Sequence, residues 1–328
     1  MESRFGWKMV LWGGSKPFMA ELMVKNELMN EKSDKNDTIF LLKYIKPLNF
    51  NQIIAFMKQR AMEGVEVISE NTYSRTFRRG KSRGYFTVTN NPDHSALELR
   101  IGCEDNQCHM KISDRIRKMF DLDTDFRVIN EKFSKDTLLS KGIVSGHVPR
   151  LPIAFNPFEF VVRAVLGQQI SVKAATTLAA RVAKKAAIKS DRFPHGLDYF
   201  FPNPAELLEL DLDEIGITKT RQTTIKTAAQ AILDGGVRLT SNQPFDTFHK
   251  DFSALKGIGD WTVNYVAMRG LGMVDSFPAG DLGVVKALTK DGRVLSKKEI
   301  IDIAENWRPY RSYATLCLWN LKSNQVTV

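Results

Sequence analysis

The sequence predicts an α+β domain built on an antiparallel sheet, followed by an all-helical domain. Runs rich in β-branched and aromatic residues recur between residues 38 and 101, separated by Gly, Pro and Asn. From Phe158 onward, the apolar residues recur at helical spacing instead. A chain of 328 residues has room for both domains. We therefore expect a leader over 1–37, the α+β domain over 38–148 and the helical domain over 149–328.

The leader is expected to be disordered. It lacks the apolar core and the small-residue cleavage site of a signal peptide, and its acidic residues disfavour a transit peptide. The chain as a whole contains no apolar run of roughly eighteen residues, the length that a membrane-spanning helix requires.

The expected α+β domain opens with a strand and a helix and continues with hairpins. Pro47 ends the first strand, and residues 50–57 have helical spacing. Basic and aromatic residues alternate in the central hairpin, which we expect to be solvated rather than to bind nucleic acid. Those basic residues are Arg75, Arg78, Arg79, Lys81 and Arg83, and the β-rich runs lie at 39–44, 65–67, 72–77, 85–88 and 97–101.

One segment of the helical domain, residues 255–286, is the most informative. It begins LKGIGDWT, with two glycines two residues apart between apolar helical segments. Glycine permits positive φ and close backbone approach, so this spacing predicts a tight turn between two short helices, at about 248–270. The free N–H groups at the start of the second helix favour an anion such as a DNA phosphate. An ordinary corner between two helices is the alternative interpretation.

Asp281 follows Trp261 by twenty residues, behind FPAG and before an apolar helix, so it is expected at a helix start. The segments LKGIGDWTVNYVAMRG and DSFPAGDLGV resemble the helix-hairpin-helix DNA glycosylases, most closely their alkylation-repair branch, 3-methyladenine DNA glycosylase II. The resemblance extends over about residues 40–322, through SRTFRRGKSRGYFTVT, VVRAVLGQQISV and WRPYRSYATLCLWNL.

The resemblance implies that Asp281 is the catalytic aspartate. Positive charge builds on the sugar as the base leaves, and a carboxylate about 4 Å away stabilises that charge by roughly 4 kcal/mol. The same carboxylate has a second task open to it, which is to orient or deprotonate the attacking water. A plain helix N-cap is the structural alternative.

Trp261 occupies the position where the strand-cleaving members of the superfamily carry a lysine. That lysine attacks C1′ and forms a Schiff base, which an indole cannot do. The resemblance therefore implies a monofunctional glycosylase that removes alkylated purines with water and leaves an abasic site. For the same reason, a glycosylase for oxidised purines is the weaker enzyme alternative.

The family's other site residues match aromatic, hairpin and loop positions here. A flipped base needs an aromatic pocket, and electron-rich rings attract a cationic alkylated purine. The wedge that fills the gap in the DNA matches Gln169, where a family member that the sequence resembles has a leucine. The matching pocket residues are Trp261, Tyr265, Trp319 and Phe56, and the DNA-binding residues are Lys256, Gly257, Ile258, Gly259 and Thr262. The family often holds a monovalent cation on hairpin carbonyls, here near Leu255 and Gly257.

Charge and cysteine content limit the partners and cofactors. A net charge of +10 favours a polyanionic partner, and we expect a monomer that binds double-stranded DNA containing alkylated bases. The expected location is the bacterial cytoplasm, with the nucleoid, or the nucleus of a eukaryote. The three cysteines cannot supply the ligands of an iron–sulfur cluster. Cys103, Cys108 and His109 are close in sequence, but a zinc site needs a fourth ligand at suitable spacing, so we expect neither metal nor cofactor.

A non-catalytic helix-hairpin-helix protein that only binds DNA is the alternative from a different functional class. Asp281 discriminates between the two, because a carboxylate near the DNA backbone repels phosphate and contributes nothing to a protein that only binds.

Overall fold

The computed structural model describes residues 22–24, 37–103, 105–190, 193–289 and 292–323. Within the expected leader, Leu22–Val24 form a strand rather than a disordered segment. The prediction for the other residues of the leader up to residue 36 lies outside the described residues. No helix in the described ranges combines the length and the apolar character that crossing a bilayer requires.

The N-terminal half is built on an antiparallel sheet. Its strands are β1 (Leu22–Val24), β2 (Thr38–Lys43), β3 (Glu66–Ile68), β4 (Thr72–Arg79), β5 (Ser82–Asn91) and β6 (Ala96–Gly102). Within the described residues, they lie in the order β1-β2-β6-β5-β4-β3. Helices α1 (Phe50–Lys58) and α2 (His109–Met119) supply the apolar residues that share a core with the sheet. This arrangement confirms the predicted α+β class.

The remaining structure is helical, as the apolar periodicity predicts. The helices are α3 (Arg127–Ser134), α4 (Pro157–Leu166), α5 (Val172–Ala186), α6 (Pro204–Glu209), α7 (Lys219–Leu233), α8 (Phe245–Ser253), α9 (Asp260–Tyr265), α10 (Leu282–Leu288), α11 (Lys297–Ala304) and α12 (Arg311–Ser323). A π-helix, Val266–Leu271, continues α9 directly.

Two apolar cores hold these helices together. Helices α4, α5, α7 and α8 share one core, while α10, α11 and α12 share the other with α3. Residues 126–151 therefore pack with the last three helices, although most of them precede the predicted boundary at residue 148. The boundary at residue 148 stays a prediction.

The basic hairpin departs from the expectation that it is solvated. Arg75 is only 3% exposed and donates to Glu159 on α4 at 2.6 Å, and Arg78 pairs with Glu206 on α6. Of the five basic residues in this hairpin, Arg79, Lys81 and Arg83 are exposed. The prediction is wrong at the two paired positions because the carboxylates that bury them lie in helices far along the chain.

A buried ion network thus ties the sheet to the helical half. Glu66 on β3 lies 3.4 Å from Arg75 and 3.2 Å from Arg163, and Arg163 also reaches Glu159 at 3.3 Å. Burial acts to raise the pKa of Glu66, but the guanidiniums of Arg163 and Arg75 outweigh it and hold that pKa below its usual range.

Candidate active site

Asp281 is the N-cap of α10, at the helix start that the sequence predicts. Its Oδ1 atom accepts hydrogen bonds from the backbone N–H groups of Gly283 at 2.8 Å and Val284 at 3.3 Å. These bonds satisfy two of the free donors at the helix start.

Two indole rings converge on the same carboxylate. Trp319 on α12 donates from Nε1 to Oδ1 of Asp281 at 2.8 Å, and Trp261 on α9 donates from Nε1 to Oδ2 at 3.1 Å. Three helices therefore fix one side chain. Among the described residues, Oδ2 accepts one bond, from Trp261, so it is the oxygen that keeps free acceptor capacity.

The close approach of Trp319 to Asp281 depends on Gly283. A Cβ atom at Gly283 would lie 2.7 Å from Cδ1 of the Trp319 ring and 2.9 Å from Oδ1 of Asp281, which is closer than real Cβ atoms come. A glycine in the first turn of α10 therefore leaves room for the indole. The sequence analysis missed this residue, although a glycine two positions after the aspartate was a readable signal.

The four aromatic residues expected to form a pocket lie next to one another. Trp261 stacks on Tyr265, with ring centroids 5.0 Å apart and planes 17° apart. Tyr265 meets Trp319 edge-on at 6.4 Å, and Trp319 lies nearly parallel to Phe56 of α1 at 6.5 Å. The rings come from both halves of the molecule, so only the folded chain assembles them.

Two guanidinium groups flank these rings. The Cζ atoms of Arg60 and Arg269 lie 3.7 Å and 4.5 Å from the centroid of Phe56. Among the described residues neither arginine forms an ion pair with a carboxylate, and Nη1 of Arg269 is buried without a hydrogen-bond partner. Burial lowers the pKa of Arg269 to about 9, so its side chain still carries a charge at neutral pH.

The sequence analysis also missed these two arginines. Each lies four residues after a pocket aromatic, Arg60 after Phe56 and Arg269 after Tyr265. For Arg269 this spacing was a signal available in the sequence, because residues four apart lie close together along a helix, whereas Arg60 lies in the turn that follows α1.

A single cleft of ≈ 1410 Å³ brings these groups together. Asp281, Trp261, Tyr265, Trp319 and Arg269 all line it, and Phe56 lies beside this lining through its contact with Trp319. The cleft thus combines one fixed carboxylate, several aromatic faces and buried positive charge.

The predicted hairpin joins α8 to α9. Gly257 has φ +89, and a Cβ there would overlap the hydroxyl group of Thr224, so this turn requires glycine. Gly259 is the N-cap of α9, and a Cβ there would meet open space. Lys256 and both glycines are exposed, whereas the side chain of Ile258 is buried in the helical core.

Thr262 and the hairpin carbonyls already have partners within the protein. Nε2 of Gln168 donates to Oγ1 of Thr262 and to the Gly257 carbonyl, both at 3.0 Å. The Leu255 carbonyl accepts from the N–H of Ile258 at 3.0 Å. The monovalent cation expected on these carbonyls stays a prediction.

The loop between α4 and α5 presents Gln169. This side chain is exposed on the rim of the cleft, and its backbone is left-handed, with φ +58. Gln168, the residue before it, ties the loop to the hairpin through its hydrogen bond to the Gly257 carbonyl. The wedge role of Gln169 stays a prediction.

Comparison with known proteins places this geometry in a family. Residues 39–156 match the AlkA N-terminal domain, and residues 162–309 match the HhH-GPD superfamily base excision DNA repair protein. A DNA-3-methyladenine glycosylase of Bacillus subtilis is 30% identical over 215 residues, which cover 63% of this chain and 70% of that relative. The chain belongs to the HhH-GPD superfamily of base excision DNA repair proteins. In this superfamily member, α8, the Gly257 turn and α9 form the helix-hairpin-helix.

Other relatives of this HhH-GPD protein extend the comparison. A Mycobacterium tuberculosis protein named "Probable bifunctional transcriptional activator/DNA repair enzyme AlkA" is 34% identical over 85% of this chain. The chain spans 56% of the length of that relative. The solved 3-methyladenine DNA-glycosylase from Archaeoglobus fulgidus superposes with a TM-score of 0.72 at 19% identity, over 88% of this chain and 99% of that one, which shows a shared fold.

Proposed function

We propose that this protein is a monofunctional DNA glycosylase that hydrolyses the N-glycosidic bond of alkylated purines, of the 3-methyladenine and 7-methylguanine type. The observation that carries the proposal is the Asp281 carboxylate, held by two indole N–H groups in a cleft lined with aromatic rings. The relatives named for 3-methyladenine release support the same activity.

The chemistry follows from the charge that develops on the sugar. As the base departs, C1′ and the ring oxygen share positive charge, and the fixed Asp281 carboxylate stabilises that charge without reorganising. Water then attacks C1′ and leaves an abasic site. Because Oδ2 accepts one bond from the part of the chain that the structure describes, it is the oxygen that we assign to face the sugar or the attacking water.

The aromatic faces account for the choice of base. A purine alkylated at N3 or N7 carries a positive charge, which the electron-rich faces of Trp261, Tyr265 and Trp319 attract. Such a base is also a good leaving group, so its release needs no strong general acid. Arg60 and Arg269 act in the opposite direction, because their charge disfavours a cationic base near Phe56 and favours one with an exposed acceptor atom there.

Damaged double-stranded DNA is the proposed partner, bound by a single copy of the chain. The net charge of +10 and the exposed Lys256 attract the phosphates. The N–H groups at the start of α9 contact a phosphate, and Gln169 fills the gap that the flipped base leaves. For the division into domains, we propose the α+β domain over 38–148 and the helical domain over 149–328, although residues 126–151 share a core with the last helices.

A release assay tests the activity. DNA treated with a methylating agent is incubated with the protein, and chromatography identifies the freed bases. We expect free 3-methyladenine and 7-methylguanine with the wild type, and about 10³-fold slower release with Asp281→Asn, which corresponds to the loss of about 4 kcal/mol. Asparagine is as good an N-cap as aspartate, so this variant keeps the helix start, while it removes the charge and the oxygen that accepts from Trp261.

Two outcomes would contradict the proposal. Release by Asp281→Asn within about threefold of the wild type would exclude the carboxylate from the chemistry. If the wild type binds methylated DNA tightly but releases no base, the alternative of a non-catalytic DNA-binding protein would be favoured instead.

A further inference from the structure

Three side chains that can bind a metal meet at the junction of β6 and α2, far along the chain from Asp281. The Sγ atoms of Cys103 and Cys108 and a ring nitrogen of His109 all lie within 4.8 Å of one another. Cys103 directly follows β6, and His109 is the first residue of α2. We propose that these three residues bind one Zn²⁺ ion, with water as the fourth ligand.

The hydrogen bonds of His109 leave one ring nitrogen available as a ligand. Nε2 lies 3.2 Å from the Cys103 carbonyl oxygen. A carbonyl oxygen can only accept, so Nε2 carries the proton and Nδ1 of the neutral ring keeps a lone pair. Metal-binding histidines usually donate their second N–H to a carbonyl or carboxylate in this way.

That lone pair has no partner within the protein. His109 is 2% exposed, and Nδ1 is buried without a hydrogen bond among the described residues. A buried acceptor without a partner destabilises the folded state. We assign this nitrogen, Nδ1, as the His109 atom that binds the proposed cation.

The two sulfur atoms have a spacing that suits zinc. They lie 3.5 Å apart, well beyond the length of a disulfide bond, about 2.05 Å. Two thiolates in a tetrahedral zinc site, each about 2.3 Å from the metal, are about 3.8 Å apart. Small movements of these side chains therefore complete the site.

The exposure of the two cysteines provides the fourth position. Cys108 is 4% exposed, whereas Cys103 is partly exposed, so solvent reaches the cluster from one side. Three protein ligands and a water form a four-coordinate zinc site. The sequence analysis expected no zinc site because a fourth protein ligand was missing. In the folded protein, the partly exposed side of the cluster allows water to be the fourth ligand.

The surrounding structure leaves room for Cys103. A Cβ at Gly84 on β5 would come within 2.9 Å of Cβ of Cys103, so glycine is the residue that admits this side chain. Both ends of the connection are fixed, because β6 pairs with β5 and α2 packs on the sheet. The bound ion would therefore pin the first turn of α2 to the end of β6.

Zinc binding to the whole protein tests the site. The protein is reduced, freed of metal with a chelator, and titrated with Zn²⁺ under anaerobic conditions against a competing chromophoric chelator. We expect one ion per chain and at least about 100-fold weaker binding for Cys103→Ser, which changes a partly exposed side chain by a single atom. Cys317→Ser is the matched control, since Cys317 is buried in the helical half and should leave the affinity unchanged.

Cobalt provides an independent readout. Co²⁺ in this site should give thiolate-to-metal charge transfer and the intense d–d bands of four-coordinate geometry, and Cys103→Ser and His109→Gln should each weaken both. Stoichiometric binding that Cys103→Ser leaves unchanged would overturn the proposal. So would the absence of binding at micromolar Zn²⁺, including the case in which Cys103 and Cys108 form a disulfide instead. The base-release assay plays no part in this test, so the two proposals stand or fall separately.

Discussion

The indole N–H of Trp319 donates a hydrogen bond of 2.8 Å to Oδ1 of Asp281, 38 residues earlier in the chain. The same ring lies parallel to Phe56 at 6.5 Å and so also forms a wall of the cleft. One side chain thus supports the carboxylate and faces the space that a flipped base would fill. The sequence analysis assigned it only the second of these tasks.

Replacing Trp319 by Phe should separate the two tasks. Phenylalanine keeps an aromatic face but removes the N–H, and a hydrogen bond to a charged group contributes about 1.5–3 kcal/mol. We expect the single-turnover rate constant for 7-methylguanine release to fall about 10- to 100-fold. In an Asp281→Asn background the same replacement should cost far less, because the charge is already gone. Equal losses in both backgrounds would show that the indole N–H does not act through Asp281.

Gly259→Ala should weaken DNA binding without disturbing the fold. A Cβ at Gly259 meets open space and φ is −93, so the free protein tolerates alanine. The added methyl group then lies where a phosphate must approach the N–H groups of α9. We expect affinity to fall by a similar factor for several duplex sequences, since phosphate contacts carry no base information.

Fluorescence anisotropy with labelled duplexes measures this effect, and thermal unfolding checks the fold. Gly257→Ala is the matched contrast, because its Cβ would overlap Thr224 and its φ is positive. It should lower the unfolding temperature, whereas Gly259→Ala should not. A loss of affinity confined to one duplex sequence would contradict the phosphate contact.

No covalent intermediate should form through position 261. Trp261 offers no amine, so borohydride added during turnover should trap no protein–DNA adduct, and the product should be an intact strand with an abasic site. Denaturing gels measure both quantities. A borohydride-dependent crosslink that survives blocking of the N-terminal amine would mean that a lysine elsewhere attacks C1′.

Arg269→Met should shift the preference of the cleft toward cationic bases. Removing a buried charge beside Phe56 relieves its repulsion of an alkylated purine, and about 1 kcal/mol of relief corresponds to about fivefold. We expect the kcat/KM ratio of 7-methylguanine to hypoxanthine, each in a defined duplex, to rise by that factor.

Arg115→Met is the control for Arg269→Met. The Arg115 guanidinium bonds to the carbonyls of Phe155 and Ala154 and does not line the cleft. Its replacement should lower both kcat/KM values equally or leave both unchanged. If Arg269→Met lowers kcat/KM equally for 7-methylguanine and hypoxanthine, Arg269 has a structural role and does not select the base.

Glu66→Gln should change how stability depends on pH. The wild-type carboxyl has a pKa below its usual range in the folded state, so the stability that it contributes is present above about pH 4.5 and is lost as pH falls through the folded pKa. At pH 7 the variant removes a buried charge that pairs with Arg75 and Arg163. We therefore expect its free energy of unfolding to be about 3–5 kcal/mol lower than that of the wild type. The difference in free energy of unfolding between the wild type and the variant should become smaller as the pH falls below about 4, because Glu66 then becomes protonated.

Urea unfolding at several pH values measures both effects. Glu131→Gln is the control, because the ion pair of Glu131 with Lys135 is exposed on both sides and should leave the unfolding midpoint unchanged. A constant difference between wild type and Glu66→Gln across the pH range would exclude Glu66 titration as the cause.

The sequence by itself determined the fold class and the family. Period-two runs and helical stripes are local patterns, so the sheet and the helices could be located without knowing which elements pack together. The same holds for the Gly257 turn and for Asp281 at the start of α10, because a glycine that must adopt positive φ and a capping side chain act on their own neighbours. For Trp261, water rather than an amine as the nucleophile is what the family resemblance implies, and it stays a prediction.

Only the tertiary structure decided which distant groups meet. From the sequence, Arg75 is expected to be a solvated hairpin residue. In the structure it is buried and forms an ion pair with Glu159, 84 residues later. The indoles of Trp261 and Trp319 reach one carboxylate only because α9, α10 and α12 pack around it. The tertiary structure also decides the surroundings of His109, because Nδ1 is buried without a hydrogen-bond partner among the described residues. Burial and long-range pairing depend on the three-dimensional path of the chain, which no local pattern of residues contains.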